Sequence, residues 1–104
     1  MALLFIRSYS GMGQDLMGQV IQTGMEPALE DKTLLISGAA ATTTAALNAA
    51  AKFVRVNTDS ICSIKFGTTS TVAATTTNAR MAANSSEFFA LDRPGLFVSV
   101  ILNT

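Results

Sequence analysis

The chain has 104 residues, 49% of them hydrophobic, and its 7 Lys plus Arg balance its 7 Asp plus Glu, so the formal charge is zero. That length fits one domain with a thin stability margin, and the balanced charge leaves no basic footprint for nucleic acid and no acidic tail. Only 13% of residues are charged, well under the roughly 25% usual in soluble domains, which points to a surface partly hidden against partners and to little repulsion between copies.

Ala2 to Tyr9 (ALLFIRSY) opens the chain with strand-like alternation, Leu3, Phe5 and Arg7 on one face and Leu4, Ile6 and Ser8 on the other. This apolar start has no basic stretch before it, Arg7 follows it, and no small-residue cleavage site is near, so a signal peptide is not expected. Ser8 to Gly18 (SYSGMGQDLMG) holds three glycines and reads as a loop or irregular crossing. Gln19 to Thr23 (QVIQT) is a short candidate strand, followed by an acid-rich turn with Gly24 and Pro27; Thr33 to Ser37 (TLLIS) is another and ends at Gly38. In Gly38 to Ala51 the alanines favour helix while Thr42, Thr43 and Thr44 oppose it. A loop with a short strand at Thr44 to Leu47 is the expectation there, a helical turn the alternative.

The second half is clearer. Lys52 to Asn57 (KFVRVN) sets Val54 and Val56 against Phe53 and Arg55, and Ile61 to Phe66 (ICSIKF) sets Cys62, Ile64 and Phe66 against Ile61, Ser63 and Lys65. Glu87 to Leu91 (EFFAL) precedes a strong turn signal, Asp92-Arg93-Pro94-Gly95. Leu96 to Leu102 (LFVSVIL) closes the pattern with Leu96, Val98, Val100 and Leu102 inward. Seven or eight short strands at spacings of about 8–12 residues, with no helical pattern between them, predict an all-β protein. The expected architecture is a two-sheet β-sandwich, jelly-roll-like rather than immunoglobulin-like because no Cys–Trp–Cys core exists. It forms one domain over residues 1–104 with a loop-rich N-terminal third at about 8–32. No run approaches the ~18 apolar residues of a membrane span.

The chain contains no histidine, which removes the commonest general base, metal ligand and triad member together. The single cysteine, Cys62, can form no internal disulfide and cannot supply a zinc cluster. It lies on a predicted inward face with no basic neighbour, as an inert core thiol would. Glu26, Glu30 and Asp31 lie close together but lack the alternating Asp/Asn ladder and central Gly of a calcium loop, so a solvated loop is the expectation. Gly11-Met12-Gly13 lacks the ending of a phosphate loop, and Gly67 to Thr71 reads as a hydroxyl-rich turn. No catalytic residue, cofactor or metal ligand is expected, and an enzyme is disfavoured.

The residues singled out for partner contact are Met12, Met17, Met25, Arg55 and Arg80. Methionines near exposed loops make adaptable contact surfaces, with ordinary core filling the alternative. Arg55 leaves its strand opposite Val54 and Val56; pairing with Asp59 or Glu87 inside the fold is the default, a carboxylate on a partner the alternative. Arg93 lies in a turn and is expected to be solvated.

From Thr42 to Leu102 the chain resembles the small virion structural proteins encoded near the capsid gene of tailed bacteriophages. The features that carry the resemblance are FVRV (Phe53 to Val56), CSIKFG (Cys62 to Gly67), a Thr/Ala-rich stretch leading to RMAAN (Arg80 to Asn84), EFF (Glu87 to Phe89), the Pro94-Gly95 turn and a terminal VSVI. The stretch after Gly67 carries no proline, and the first 40 residues lie outside the resemblance. It implies a capsid decoration or cement protein with a β-sandwich or jelly-roll body. Such a protein binds the outside of the shell at symmetry axes, bridges neighbouring copies of the major capsid protein and resists internal DNA pressure. It implies a homo-oligomer at the virion surface, made in the host bacterial cytoplasm, with no nucleic acid, membrane or small-molecule substrate as partner. A head–tail connector, tail or fibre-associated protein is the alternative within the virion. A carbohydrate- or receptor-binding sandwich is disfavoured by the absence of Trp and the single Tyr9.

Overall fold

The structure, a computed structural model, describes residues 2–14, 20–24 and 28–103, with side chains outside 12–14 and 20–24. Ten strands are present among them: β1 (Ala2–Tyr9), β2 (Met12–Gln14), β3 (Val20–Gly24), β4 (Glu30–Ile36), β5 (Ala41–Thr42), β6 (Phe53–Thr58), β7 (Cys62–Gly67), β8 (Ala79–Met81), β9 (Ser85–Ala90) and β10 (Phe97–Leu102). Eight of them form two four-stranded antiparallel sheets, β4-β1-β6-β9 and β5-β10-β7-β8. The all-β sandwich read from the sequence is therefore the fold.

Its winding is that of a jelly roll with one rearrangement. Traced from β4, the chain visits the first sheet, then the second, first, second, second, first and second, ending at β10. The place that remains, between β4 and β6, is the closing strand of an eight-stranded jelly roll, and β1 fills it from the N-terminal end.

Period-two alternation places the core between the sheets. Leu4, Ile6, Leu34, Ile36, Val54 and Val56 enter it from the first sheet, and Cys62, Ile64, Met81, Val98 and Val100 from the second. Leu47 joins them from a loop, and Phe66 meets Phe89 across one end at 5.3 Å between ring centroids. Leu96 and both valines of β10 are buried as expected, whereas Leu102 lies at the strand end and is exposed.

Four expectations are corrected. The segment Ser8 to Gly18 is not simply a loop: β2 pairs with β3 (Met12↔Gly24, Gln14↔Val20), prolonging the antiparallel β1–β4 ribbon after an irregular stretch. This helps account for a longest dimension of 46 Å against 27 and 21 Å, since an eight-residue strand spans only about 27 Å. Glu30 and Asp31 belong to β4 rather than to a loop. The short strand expected at Thr44 to Leu47 lies earlier, as β5, because Thr43 ends the ladder. Its N–H donates to the Val98 carbonyl (2.9 Å) while the Val98 N–H donates to its side-chain oxygen, Oγ1 (3.3 Å). The strand β8 also escaped the sequence reading. Asn84, at φ 57°, sits in the turn that carries the chain from β8 to β9 in the other sheet.

Candidate interaction surface

The two outer faces of the sandwich differ. On β5-β10-β7-β8, the outward-facing Ser63 and Ser99 are fully buried because the segment from Thr68 to Asn78 folds across them. Ser99 Oγ accepts the N–H of Ala74 (2.9 Å), Thr42 Oγ1 donates to the Val72 carbonyl (2.7 Å), and Asn103 Nδ2 donates to Ser63 Oγ (2.7 Å) and to the Thr76 carbonyl (3.1 Å). Gly67 is required at the end of β7, since a Cβ there would lie 2.6 Å from Val72 Cβ. This sheet covers its own back.

No described segment covers the outer face of β4-β1-β6-β9 in that way around Phe5, Leu35 and Phe88, although Tyr9 and Phe53 at one end of it are buried. Cross-strand register lines up three rows on it: Thr33–Phe5–Asn57–Ser86, Asp31–Arg7–Arg55–Phe88, and Tyr9–Phe53–Ala90. Phe5, Leu35 and Phe88 are exposed at 43%, 51% and 49%. Tyr9, buried, stacks on the buried Phe53 at 5.2 Å, and Phe53 meets the exposed Phe88 at 5.8 Å, so this aromatic row is open only at its Phe88 end. A shallow hollow of about 380 Å³ opens where Phe5, Arg7, Asp31, Thr33, Arg55 and Asn57 meet.

The charges on and beside this face are nearly settled internally, Arg7 and Asp31 on it and Lys32 and Glu30 on the opposite side of the edge strand β4. Arg7 Nε donates to Asp31 Oδ1 at 2.7 Å. Lys32 lies 3.9 Å from Glu30, whose Oε1 also accepts from the Asn48 N–H (2.6 Å) and Ser8 Oγ (3.3 Å). Arg55 stands directly opposite Arg7, and among the described residues it has no ion pair or hydrogen bond. The pairing expected with Asp59 or Glu87 is not made. Asp59 Oδ1 instead accepts the Leu3 N–H (2.9 Å), and Glu87, opposite Val56, belongs to the other face of the sheet.

The remaining sequence candidates do not gather here. Arg80, opposite Ser63, is exposed on the outer side of the second sheet, so it and Arg55 lie on opposite faces. Met12 lies in β2, its side chain outside the described ones, and Met17 and Met25 fall outside the described residues, as does Glu26. Phe5, Leu35 and Phe88 were not singled out from sequence. β1 is apolar on both faces, which signals that its second face is also meant to be covered.

Other chemistry is sparse. Cys62 is buried, and burial pushes its thiol pKa up, with Asp59 and Glu87 adding to the rise and the contact to Thr58 Oγ1 (3.6 Å) opposing it. Among the described residues no group of three His, Cys, Asp or Glu side chains is placed to hold a metal ion, and no helix is long and apolar enough to cross a membrane. A second open depression, about 360 Å³, lies at the end of the sandwich beside Phe66, Phe89, Leu91 and Leu96. Comparisons with protein-family models, with curated proteins and with solved structures gave no match for this chain.

Proposed function

We propose that the chain is a virion structural protein, a capsid decoration or cement protein that binds the outside of a tailed-phage shell and stabilises contacts between major capsid subunits. The observation that carries this reading is the asymmetry of the sandwich: one sheet is covered by its own chain while the other exposes Phe5, Leu35 and Phe88 around Arg55, which is unpaired among the described residues. Apolar side chains grouped on one exposed face are the mark of a protein-binding surface. The low charge of the chain and its resemblance over Thr42 to Leu102 favour an assembling virion component over a free-standing binding module. Mechanically, such a protein adds interface area between neighbouring subunits, and many weak patches act together through multivalency.

The test is quantitative mass spectrometry on purified particles of the phage that encodes the chain. Hundreds of copies per particle support decoration. About a dozen or fewer would move the protein to the neck or tail, as copy number follows the symmetry of the site. Absence from the particle overturns the proposal.

A further inference from the structure

Resting on that reading, we infer that the chain docks through the outer face of β4-β1-β6-β9, and that Arg55 there receives a carboxylate from a different protein rather than from a second copy of itself. Three cations line the hollow, Arg7, Lys32 and Arg55, against one lining carboxylate, Asp31. Asp31 answers Arg7 and Glu30 answers Lys32, which leaves the Arg55 guanidinium as the unmatched charge of the hollow among the described residues. Covering an unpaired guanidinium with an apolar surface is strongly unfavourable, so whatever covers Phe5 and Phe88 must bring an anion to Arg55. A carboxylate fits the planar fork of arginine with two parallel hydrogen bonds and fixes the orientation of the partner.

A second copy is a poor occupant of this face. Consider two copies packed face to face about a two-fold axis centred on the row Asp31–Arg7–Arg55–Phe88. With the axis parallel to the strands, β1 of one copy lies over β6 of the other, and Arg7 meets Arg55. With the axis across the strands, Arg7 meets Arg7 and Arg55 meets Arg55. Both arrangements oppose like charges in a region losing its water. An axis along β1 would lay Asp31 of one copy over Arg55 of the other but sets Arg7 on Arg7. In every case the two rows bring four arginines against two aspartates, an uncompensated positive excess. The geometry therefore selects a partner whose surface places a carboxylate among apolar groups. Four strands at about 4.8 Å spacing and six residues at about 3.4 Å give a flat area of roughly 400 Å². That is about half of the ~800 Å² per partner in a standard interface, so a single site is weak and the repeated array of a shell supplies the avidity.

The experiment uses shells of the encoding phage's major capsid protein assembled without this chain, with the full-length protein added back and binding read by co-sedimentation. Arg55→Glu should weaken binding at least about tenfold, Arg55→Lys should weaken it less, and Lys65→Glu, exposed on the other sheet, should bind as wild type. Far-UV circular dichroism and urea unfolding check that each variant is folded. Independently of any variant, hydroxyl-radical footprinting of the wild-type protein on shells should protect Phe5, Leu35 and Phe88. Unimpaired binding by Arg55→Glu, or protection confined to the Thr68 to Asn78 segment, overturns the docking face and leaves the decoration reading standing. Loss of self-association by free Arg55→Glu protein, measured by sedimentation velocity, would make a second copy the occupant and overturn the inference. Wild-type protein that binds no shell overturns the decoration reading and this inference with it.

Discussion

Replacing Gly67 with alanine tests whether the Thr68 to Asn78 segment is packed against the second sheet. The new Cβ would stand 2.6 Å from both Val72 Cβ and Cγ2 and 3.3 Å from Cγ1, whereas unstrained carbon contacts lie at about 3.5–4.0 Å. Val72 Cβ is fixed to its own backbone, so the relief must come from the segment lifting by about 1 Å, the shortfall from ordinary contact. That movement loosens the Thr42 Oγ1 bond to the Val72 carbonyl and the Ala74 N–H bond to Ser99 Oγ. Overpacking of this kind costs about 1–3 kcal/mol, and the better strand propensity of alanine returns about 0.5–1 kcal/mol. The expected net loss is between about 0 and about 2.5 kcal/mol, centred slightly above about 1 kcal/mol, a fall in Tm of about 5–10 °C for a domain of this size. Gly38→Ala is the matched control, since a Cβ there meets nothing within 4 Å. Differential scanning calorimetry compares the three proteins, and amide exchange at Ala74 should quicken only in Gly67→Ala. If Gly67→Ala melts at or above the wild-type temperature, the segment does not cover β7 as described.

Leu4→Ala empties a fully buried position at the middle of the first sheet and should cost about 2–5 kcal/mol in urea unfolding; a loss under about 1 kcal/mol would mean the core does not lie where the alternation places it. Asp31→Asn removes a carboxylate from an exposed pair (side chains 41% and 64% exposed) and should cost under about 1 kcal/mol, slightly more at low salt because Arg7 is left facing Arg55; a loss above about 2 kcal/mol would contradict that exposure. The raised pKa of Cys62 makes stability pH-dependent on the alkaline side. Below the ordinary thiol value of 9.0 the group is protonated in both states and the dependence is absent. Between that value and the folded one the unfolded chain releases a proton that the folded chain keeps, so stability falls as pH rises. Urea unfolding over this range should show a steeper decline for wild type than for Cys62→Ala, and parallel declines would refute it.

The fold was legible wherever one strand face is apolar and the other is not. The two faces of β6 follow from FVRV, and Val54 with Val56 is the set that enters the core, whereas ALLFIRSY is apolar on both faces and only the fold shows that Leu4 and Ile6 are its inward side chains. Boundaries were less legible where a side chain replaces a backbone partner, as Thr43 does at the end of β5. β8 was missed because ARM is only three residues long and buries one side chain, Met81, too few for a period-two signal. For the interaction surface, the sequence revealed that Arg55 shares a face with Phe53 but not which strand would lie beside it. The expected partner Asp59 lies four residues on, a separation that does not fix where either side chain ends up. Tertiary structure instead hands Asp59 to the Leu3 N–H and sets Arg7 beside Arg55. Likewise, Ser63 and Ser99 read as solvent-facing residues of alternating strands, and only the fold of the following Thr-rich segment buries them.

The position of β1 ties the fold to the candidate interaction surface. A strand at the edge of a sheet contributes half a face and leaves its other edge open, whereas β1 lies between β4 and β6 and so sets the middle of the exposed face with Leu3, Phe5 and Arg7. The same strand sends Leu4 and Ile6 into the core. One eight-residue segment thus supplies both the inner packing and the outer surface, and its sequence is apolar on both sides for two different reasons. The inner apolar set is satisfied within the chain by the opposite sheet. The outer set has no such layer among the described residues, because the segment that could have served as one, Thr68 to Asn78, is spent on the other sheet through Ser99, Thr42 and Asn103. With only 13% of its residues charged, the chain carries Arg7, Asp31 and Arg55 on the exposed face, and of these Arg55 has no partner among the described residues. A surface built so is stable in water but gains most when a complementary layer, apolar with one anion, is laid over it.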